Sequence, residues 1–320
     1  MRTARAIRVS AAVMAAGLVF VGPVQAAAPM VKKQAPGYYR MMLGDFEVTA
    51  LTDGWLPVKP SELLTNTSPA RVGKSLARAF LSEPVETSVN VYFINTGTKL
   101  VLVDTGVGGA HGPNLGKLAA NLLASGYTPE QVDEVYVTHM HGDHIGGLMA
   151  DVRRAFPNAT VRAARREADY WLSKERMEAA PQDARSGFER AMAMFTPYVT
   201  AGRFRPFDGD TELVPGVRAL ASYGHTPGHT SYVVESKGEK LVLWGDLIHV
   251  AAVQFGEPAV TIKYDKEPKA AAAERRKAFA AAAQGGYWVG AAHLAFPGIG
   301  HVRAEGRAYA FVPANYAPLH

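Results

Sequence analysis

Apolar and polar positions alternate over 46–51, which predicts a strand ending in the turn-forming pair Asp53-Gly54. Two β-rich runs over 87–96 and 99–103 flank Gly97 and close on Asp104-Thr105-Gly106. A second pair over 230–236 and 240–244 flanks Gly238 and closes on Gly245-Asp246. The pairs agree nearly letter for letter, Gly97-Thr98-Lys99-Leu100-Val101-Leu102 against Gly238-Glu239-Lys240-Leu241-Val242-Leu243. Such a repeat predicts a molecule built from two related βα-rich halves. Elsewhere the period lengthens to that of a helix. Leu115, Leu118, Ala119, Leu122 and Leu123 recur at i, i+3/i+4 spacing over 114–125, and Gly126 stops the pattern. The same spacing predicts helices over 166–178 and 187–198, and an Ala-rich one over 268–284, opened by Pro268 and closed by Gly285-Gly286. Short apolar runs at 135–138 and 287–289 read as buried strands. Strands interleaved with helices predict an α/β sandwich. No low-complexity linker divides residues 27–320, which are expected to form a single domain.

Composition narrows the chemistry. The 320 residues are 48% hydrophobic and 20% charged, which excludes a disordered chain and leaves ample material for a core. With ten His and no Cys, a disulfide, a Cys nucleophile, a Cys-ligated zinc site and an iron–sulfur cluster are all excluded. A bound metal must rest on imidazole and carboxylate. Arg2, Arg5 and Arg8 precede an apolar run over 11–21 and small residues up to Ala26, the pattern of a secretory signal peptide over 1–26. The run is shorter than the ~20 residues of a spanning helix. A periplasmic or secreted protein without a stable membrane anchor is therefore expected. Taking those three Arg from the 34 Lys+Arg leaves 31 against 29 Asp+Glu, near neutrality rather than +5. No basic cluster remains for nucleic acid.

The densest chemistry follows the 135–138 run. Thr138-His139-Met140-His141-Gly142-Asp143-His144 sets three His and one Asp close together. A core has little use for that spacing, because each buried polar group would need its own partner. His139 and His141, two apart, can converge on one cation as the chain leaves the sheet. Asp143 and His144 can turn to a second position beside it, and Gly142 permits the tight path. Further donors stand at strand ends in the second half: His225 and His229 in Gly224-His225-Thr226-Pro227-Gly228-His229, Asp246 after Leu241-Val242-Leu243-Trp244, and His293 after the 287–289 run. A carboxylate ending an apolar strand is costly unless it is paired or binds a metal.

In these residues the chain resembles the metallo-β-lactamase superfamily, whose signature is His-x-His-x-Asp-His followed by a later His, Asp and His. The resemblance extends over 27–320 and implies an αββα sandwich of two related halves. It implies that His139, His141 and His225 hold one metal, that Asp143, His144 and His293 hold a second, and that Asp246 bridges them. His229 becomes a turn or supporting residue. Two divalent metal ions are implied, with Zn2+ the default for nitrogen and oxygen ligands. A metal-bound hydroxide would attack a carbonyl or phosphoryl centre, with Asp143 and Asp246 as the catalytic carboxylates that orient the metals and pass the proton onward.

Longer strings are similar to the methyl parathion hydrolase group of that superfamily: Ala35-Pro36-Gly37-Tyr38-Tyr39-Arg40, Leu43-Gly44-Asp45-Phe46-Glu47, residues 224–236, and Phe296-Pro297-Gly298-Ile299-Gly300-His301. That similarity implies a homodimer, small ester, lactone or phosphotriester substrates, and a pocket with aromatic walls, for which Trp171 and Phe188 stand at matching places. The chain departs from the group at His111, where an aromatic residue is usual, and at His249, where Leu is usual. Ile262 and Tyr264 are bulkier than the group's side chains at those places. A phosphotriester is tetrahedral with three substituents and needs a roomy apolar pocket; a flat lactone or aryl ester needs less and tolerates polar neighbours. Lactones or aryl esters of the dihydrocoumarin kind are thus the expected substrates, with organophosphate triesters secondary. A main phosphotriesterase activity and a His-only metallo-β-lactamase are the alternatives. A Cys-ligated β-lactamase is excluded, and a glutathione thiolester hydrolase or a nuclease would want basic clusters that the chain lacks.

Overall fold

The structure is a computed structural model and describes residues 28–109 and 112–319. The expected signal peptide over 1–26 and the pocket candidate His111 lie outside the described residues. Residues 28–35 carry no helix or strand, and the folded unit begins at Pro36.

Six strands form one sheet in sequence order: β1 (Tyr38–Leu43), β2 (Phe46–Val58), β3 (Val85–Asn95), β4 (Leu100–Val103), β5 (Glu134–Tyr136) and β6 (Thr160–Arg162). Seven form the other, also in order: β7 (Glu212–Val214), β8 (Val217–Ala221), β9 (Thr230–Ser236), β10 (Glu239–Leu243), β11 (Trp288–Gly290), β12 (Ile299–Glu305) and β13 (Ala308–Pro313). Pairing is antiparallel except for β4–β5, β5–β6 and β10–β11. The repeat in the sequence is therefore a repeat in topology. β3–β4 and β9–β10 are both antiparallel hairpins, and each leads through a crossover to a parallel neighbour. Lys237 and Gly238 close the second hairpin with φ of 51° and 84°, a left-handed pair that matches the twist of the strands.

The central strands β3–β5 and β9–β11 are buried on both faces over most of their length, which is why they read as continuous apolar runs. Tyr92, Ile94, Val101 and Val103 meet Tyr232, Val234, Leu241 and Leu243 between the sheets. Val91, Phe93, Leu102 and Val135 face outward onto helices, against Leu118, Leu122, Phe195 and Tyr198. Val233, Val242 and Val289 lie beneath Phe279 and Ala282 of the helix Pro268–Gly285. Four layers result, helix–sheet–sheet–helix, as the αββα expectation requires.

Four local expectations change. β2 does not stop at Asp53-Gly54 but continues to Val58 through a bulge between Thr52 and Gly54. Gly54 adopts φ 131°, and the Asp53 carboxylate accepts the backbone N–H groups of Val107, Gly116 and Leu118 at 2.9, 3.2 and 3.0 Å. The 114–125 helix shortens to Leu118–Ala124, because the chain before it is held by Asp53. The 166–178 stretch is two helices, Arg165–Trp171 and Lys174–Ala179, the second begun by the Ser173 side chain accepting from the N–H of Arg176. The 187–198 helix is the interior of a longer one, Gln182–Thr200.

Candidate metal centre

The chain leaving β5 (137–144), β10 (244–249) and β11 (291–293) meets the turn 222–229 that precedes β9. His139, His141, His225 and Asp246 present ligand atoms all within 4.8 Å of one another, and so do Asp143, His144 and His293. Asp246 faces both sets. Its Oδ2 is 3.5 Å from His139 Nε2 and 3.2 Å from His225 Nε2, while its Oδ1 is 3.1 Å from His144 Nε2 and 3.2 Å from His293 Nε2. The Nε2 atoms of His139 and His225 each lie 3.0 Å from His141 Nδ1. Asp143 Oδ2 is 3.4 Å from His293 Nε2 and 3.6 Å from His144 Nε2.

The second ring nitrogen of four of these histidines is already engaged. His144 Nδ1 lies 2.8 Å from Asp104 Oδ2, His225 Nδ1 2.8 Å from Asp265 Oδ1, His293 Nδ1 2.9 Å from the Ser88 carbonyl, and His139 Nδ1 3.1 Å from Thr138 Oγ1. Nδ1–H donated to Asp104, Asp265 and Ser88 leaves an Nε2 lone pair aimed at the centre, the usual support of a metal-bound imidazole. His144 Nε2 and Asp246 Oδ1 are buried without a hydrogen-bond partner. Orphan acceptors of that kind are costly in a protein interior, and a cation between them removes the cost. The residues fit two divalent ions. Without a cation, burial at His144, His225 and His293 is outweighed by Asp246 and the neighbouring carboxylates, so these rings carry the positive charge that a metal would replace. Burial, reinforced by the His144 charge, pushes His139 well below the ordinary imidazole range, and burial with His225 does the same to His141. Burial opposes the charge on Asp246, yet His144 and His293 hold it far below the usual carboxylate range. At His293 burial is outweighed by Asp246 and Asp143, which raise it to about 10.

Of the two histidines in the 224–229 turn, only His225 reaches the centre. His229 Nε2 accepts the backbone N–H of Asp246 at 3.0 Å, and its Nδ1 is 2.9 Å from Ser222 Oγ. Burial and the neighbouring His225 lower His229 to about 3, which keeps it a neutral acceptor.

Three supporting carboxylates escape sequence reasoning. Asp104 also accepts the N–H and the Oγ1–H of Thr138, both at 2.8 Å. Its signal was available, because it ends β4 much as Asp246 follows β10 in the repeat. Asp265 has no such signal; backbone bonds from Lys266 to His225 and from Glu267 to Gly224 bring its segment to the site. Glu167, wholly buried, likewise carries no motif.

Beside the centre opens a cavity of about 370 Å³. Its wall is mostly apolar, from Leu56, Val58, Leu63, Val107, Leu115, Val250 and Ile262, and His141, Asp143, Asp246 and His293 lie along one side. His249, with Nε2 3.0 Å from Asp246 Oδ2, and the half-exposed Tyr264 also line it. Trp171 and Phe188, expected in the wall, do not line it. Their rings pack together at 4.8 Å on the inward faces of Arg165–Trp171 and Gln182–Thr200, where they seal the core. Trp171 meets His141 edge-on at 5.5 Å and so backs a candidate ligand instead of contacting the cavity.

Comparison with known proteins agrees with this geometry. A model of the metallo-beta-lactamase superfamily matches residues 84–288. An N-acyl homoserine lactonase of Bacillus cereus is 28% identical over 171 residues, 48% of this chain and 60% of that protein, so the match spans less than two thirds of this relative. The crystal structure of a hydrolase of the beta lactamase superfamily, AbOPH, superposes with a TM-score of 0.85 at 36% identity, covering 89% of this chain and all (100%) of the other. AidC, a dizinc quorum-quenching lactonase solved with N-hexanoyl-L-homoserine product, shares the fold with a TM-score of 0.82 at 24% identity, over 88% of this chain and 99% of its own.

Proposed function

The chain belongs to the metallo-beta-lactamase superfamily, and on that premise we propose that it is an exported, dinuclear metal-dependent hydrolase of lactones or aryl esters with secondary phosphotriester hydrolysis. The observation that carries the reading is the position of Asp246, each oxygen facing a different set of ligands, beside a cavity with a mainly apolar wall. His139, His141, His225 and one oxygen of Asp246 would hold one cation; Asp143, His144, His293 and the other oxygen would hold the second. Two such ions, Zn2+ by default, would supply Lewis acidity and an activated water at neutral pH. The chain's own residues do the rest. Asp104, Asp265 and Ser88 hold their imidazoles in one tautomer. Asp143, about a quarter exposed in the cavity wall, would hold the second cation and offer an oxygen through which a proton could pass toward the leaving group. The apolar wall excludes bulk water and accepts a hydrocarbon tail.

Substrate choice rests on shape. His249, Ile262 and Tyr264 line the wall, and their bulk and polarity suit a flat lactone or aryl ester better than the three substituents of a phosphotriester. The lactonases among the relatives support the same choice. The test compares kcat/KM of the metal-loaded protein for dihydrocoumarin, an aliphatic lactone, a phenyl ester, methyl paraoxon and a cephalosporin. A lactone or the phenyl ester is expected to lead. A tenfold preference for methyl paraoxon or the cephalosporin overturns the ranking. Export and a homodimer complete the reading. Mature protein in the periplasm or medium that starts near residue 27, and a sedimentation mass of twice the mature chain, are the expected results.

A further inference from the structure

Glu167 sits on the helix Arg165–Trp171 with no exposed surface, and its charge is met by hydrogen bonds. Oε1 accepts the N–H of Met140 at 2.9 Å; Oε2 accepts the hydroxyl of Thr226 and the N–H of Gly228, both at 2.8 Å. Met140 stands between His139 and His141, and Thr226 follows His225. One carboxylate thus ties together two segments, one from each half of the molecule, that carry the three histidines of a single ligand set. The turn has no slack against the helix, since a Cβ on Gly228 would lie 2.3 Å from the Glu167 backbone nitrogen. The other ligand set has no bond to Glu167: His144 is held by Asp104, which also reaches His139 through Thr138, and by the N–H of Thr105, and His293 by Ser88.

We propose that Glu167 is a positioning residue that sets the spacing of His139 and His141 from His225 and thereby governs metal affinity at that position alone. The proposal rests on the dinuclear reading. Both carboxylate oxygens accept, so a Gln would turn its NH2 either against the N–H of Met140 or against the donors of Thr226 and Gly228, and Thr226→Val would remove one donor while leaving the carboxylate in place.

The test titrates metal-free full-length protein with Co2+ and Zn2+, following heat and the cobalt absorption spectrum, for wild type, Glu167→Gln and Thr226→Val. Wild type is expected to take up two equivalents. Glu167→Gln should bind one of them about 10–100-fold more weakly, the range for loss of a ligand's supporting partner. Thr226→Val should show a smaller loss at the same step, with the other step unchanged. Equal weakening of both steps, or wild-type affinity in both variants, overturns the role of Glu167. If Glu167→Gln does not fold, Thr226→Val decides by the same criteria. A wild type that binds fewer than two equivalents overturns the dinuclear reading and this proposal with it; two equivalents with unaffected variants overturn this proposal alone.

Discussion

Asp246 carries the most consequence of any single side chain, because its two oxygens meet four imidazoles from three other segments. Asp246→Ala should abolish hydrolysis and lower metal content, measured by elemental analysis of dialysed protein, and His139→Ala should do the same. Metal-stripped Asp246→Ala with full activity would sink the reading. The candidate ligands were legible because His-x-His-x-Asp-His packs several donors into a few positions that a core cannot otherwise use. Asp265 was not legible. It lies far along the chain from His225 and meets Nδ1 at 2.8 Å only after folding. Asp265→Asn keeps the shape but removes the charge that holds the His225 tautomer, and should weaken metal binding about 10–100-fold with less effect on the fold.

At the scale of elements, the helix Pro268–Gly285 secures the loop beyond Asp246 through one buried guanidinium. Arg275 donates from Nε to the Leu247 carbonyl and from Nη1 to the Val260 carbonyl, and its Nη2 lies 3.9 Å from Asp265. Burial lowers Arg275 to about 10, and the nearby Asp265 works against that fall. Arg275→Ala leaves Asp265 and the carbonyls of Leu247, Pro258 and Val260 without this partner. It should cost about 3–5 kcal/mol by denaturant unfolding, far more than an exposed Arg. A loss under 1 kcal/mol would show that the clamp is dispensable. The Ala-rich composition with its Pro268 and Gly285-Gly286 boundaries located this helix, yet nothing in it showed that Arg275 points inward. Trp171 and Phe188 show the same limit from the other side. Their apolar character was plain, but whether an apolar side chain lines a cavity or fills a core depends on which neighbours its helix meets.

For the whole molecule, the centre joins the two halves, so bound metal should stabilise the entire fold. Chelation is expected to lower Tm, since a ligand at 100 times its Kd adds about 2.7 kcal/mol to the folded state. An unchanged Tm after verified metal removal would separate the centre from stability. The metal-free protein should also respond to pH. His293 is raised to about 10, with burial outweighed by Asp246 and Asp143. Its protonated form therefore stabilises the folded chain fully below the unfolded value of about 6.5, and that contribution disappears as pH rises through about 10. Metal-free protein should lose stability between pH 7 and 10 in urea titrations, and the loaded protein, whose His293 is held by metal, should lose less.

The sequence by itself determined the layered α/β plan, the two-fold repeat and the residue types able to bind metal, because periodicity and donor spacing are properties of neighbours along the chain. The tertiary structure decided that Asp246 faces both candidate ligand sets, that His225 and not His229 reaches the centre, and that Asp104, Asp265 and Glu167 hydrogen-bond the candidate ligands or the segments that carry them. Those are contacts between strand ends and turns far apart in sequence, and only the packing of the two sheets brings them within hydrogen-bonding distance.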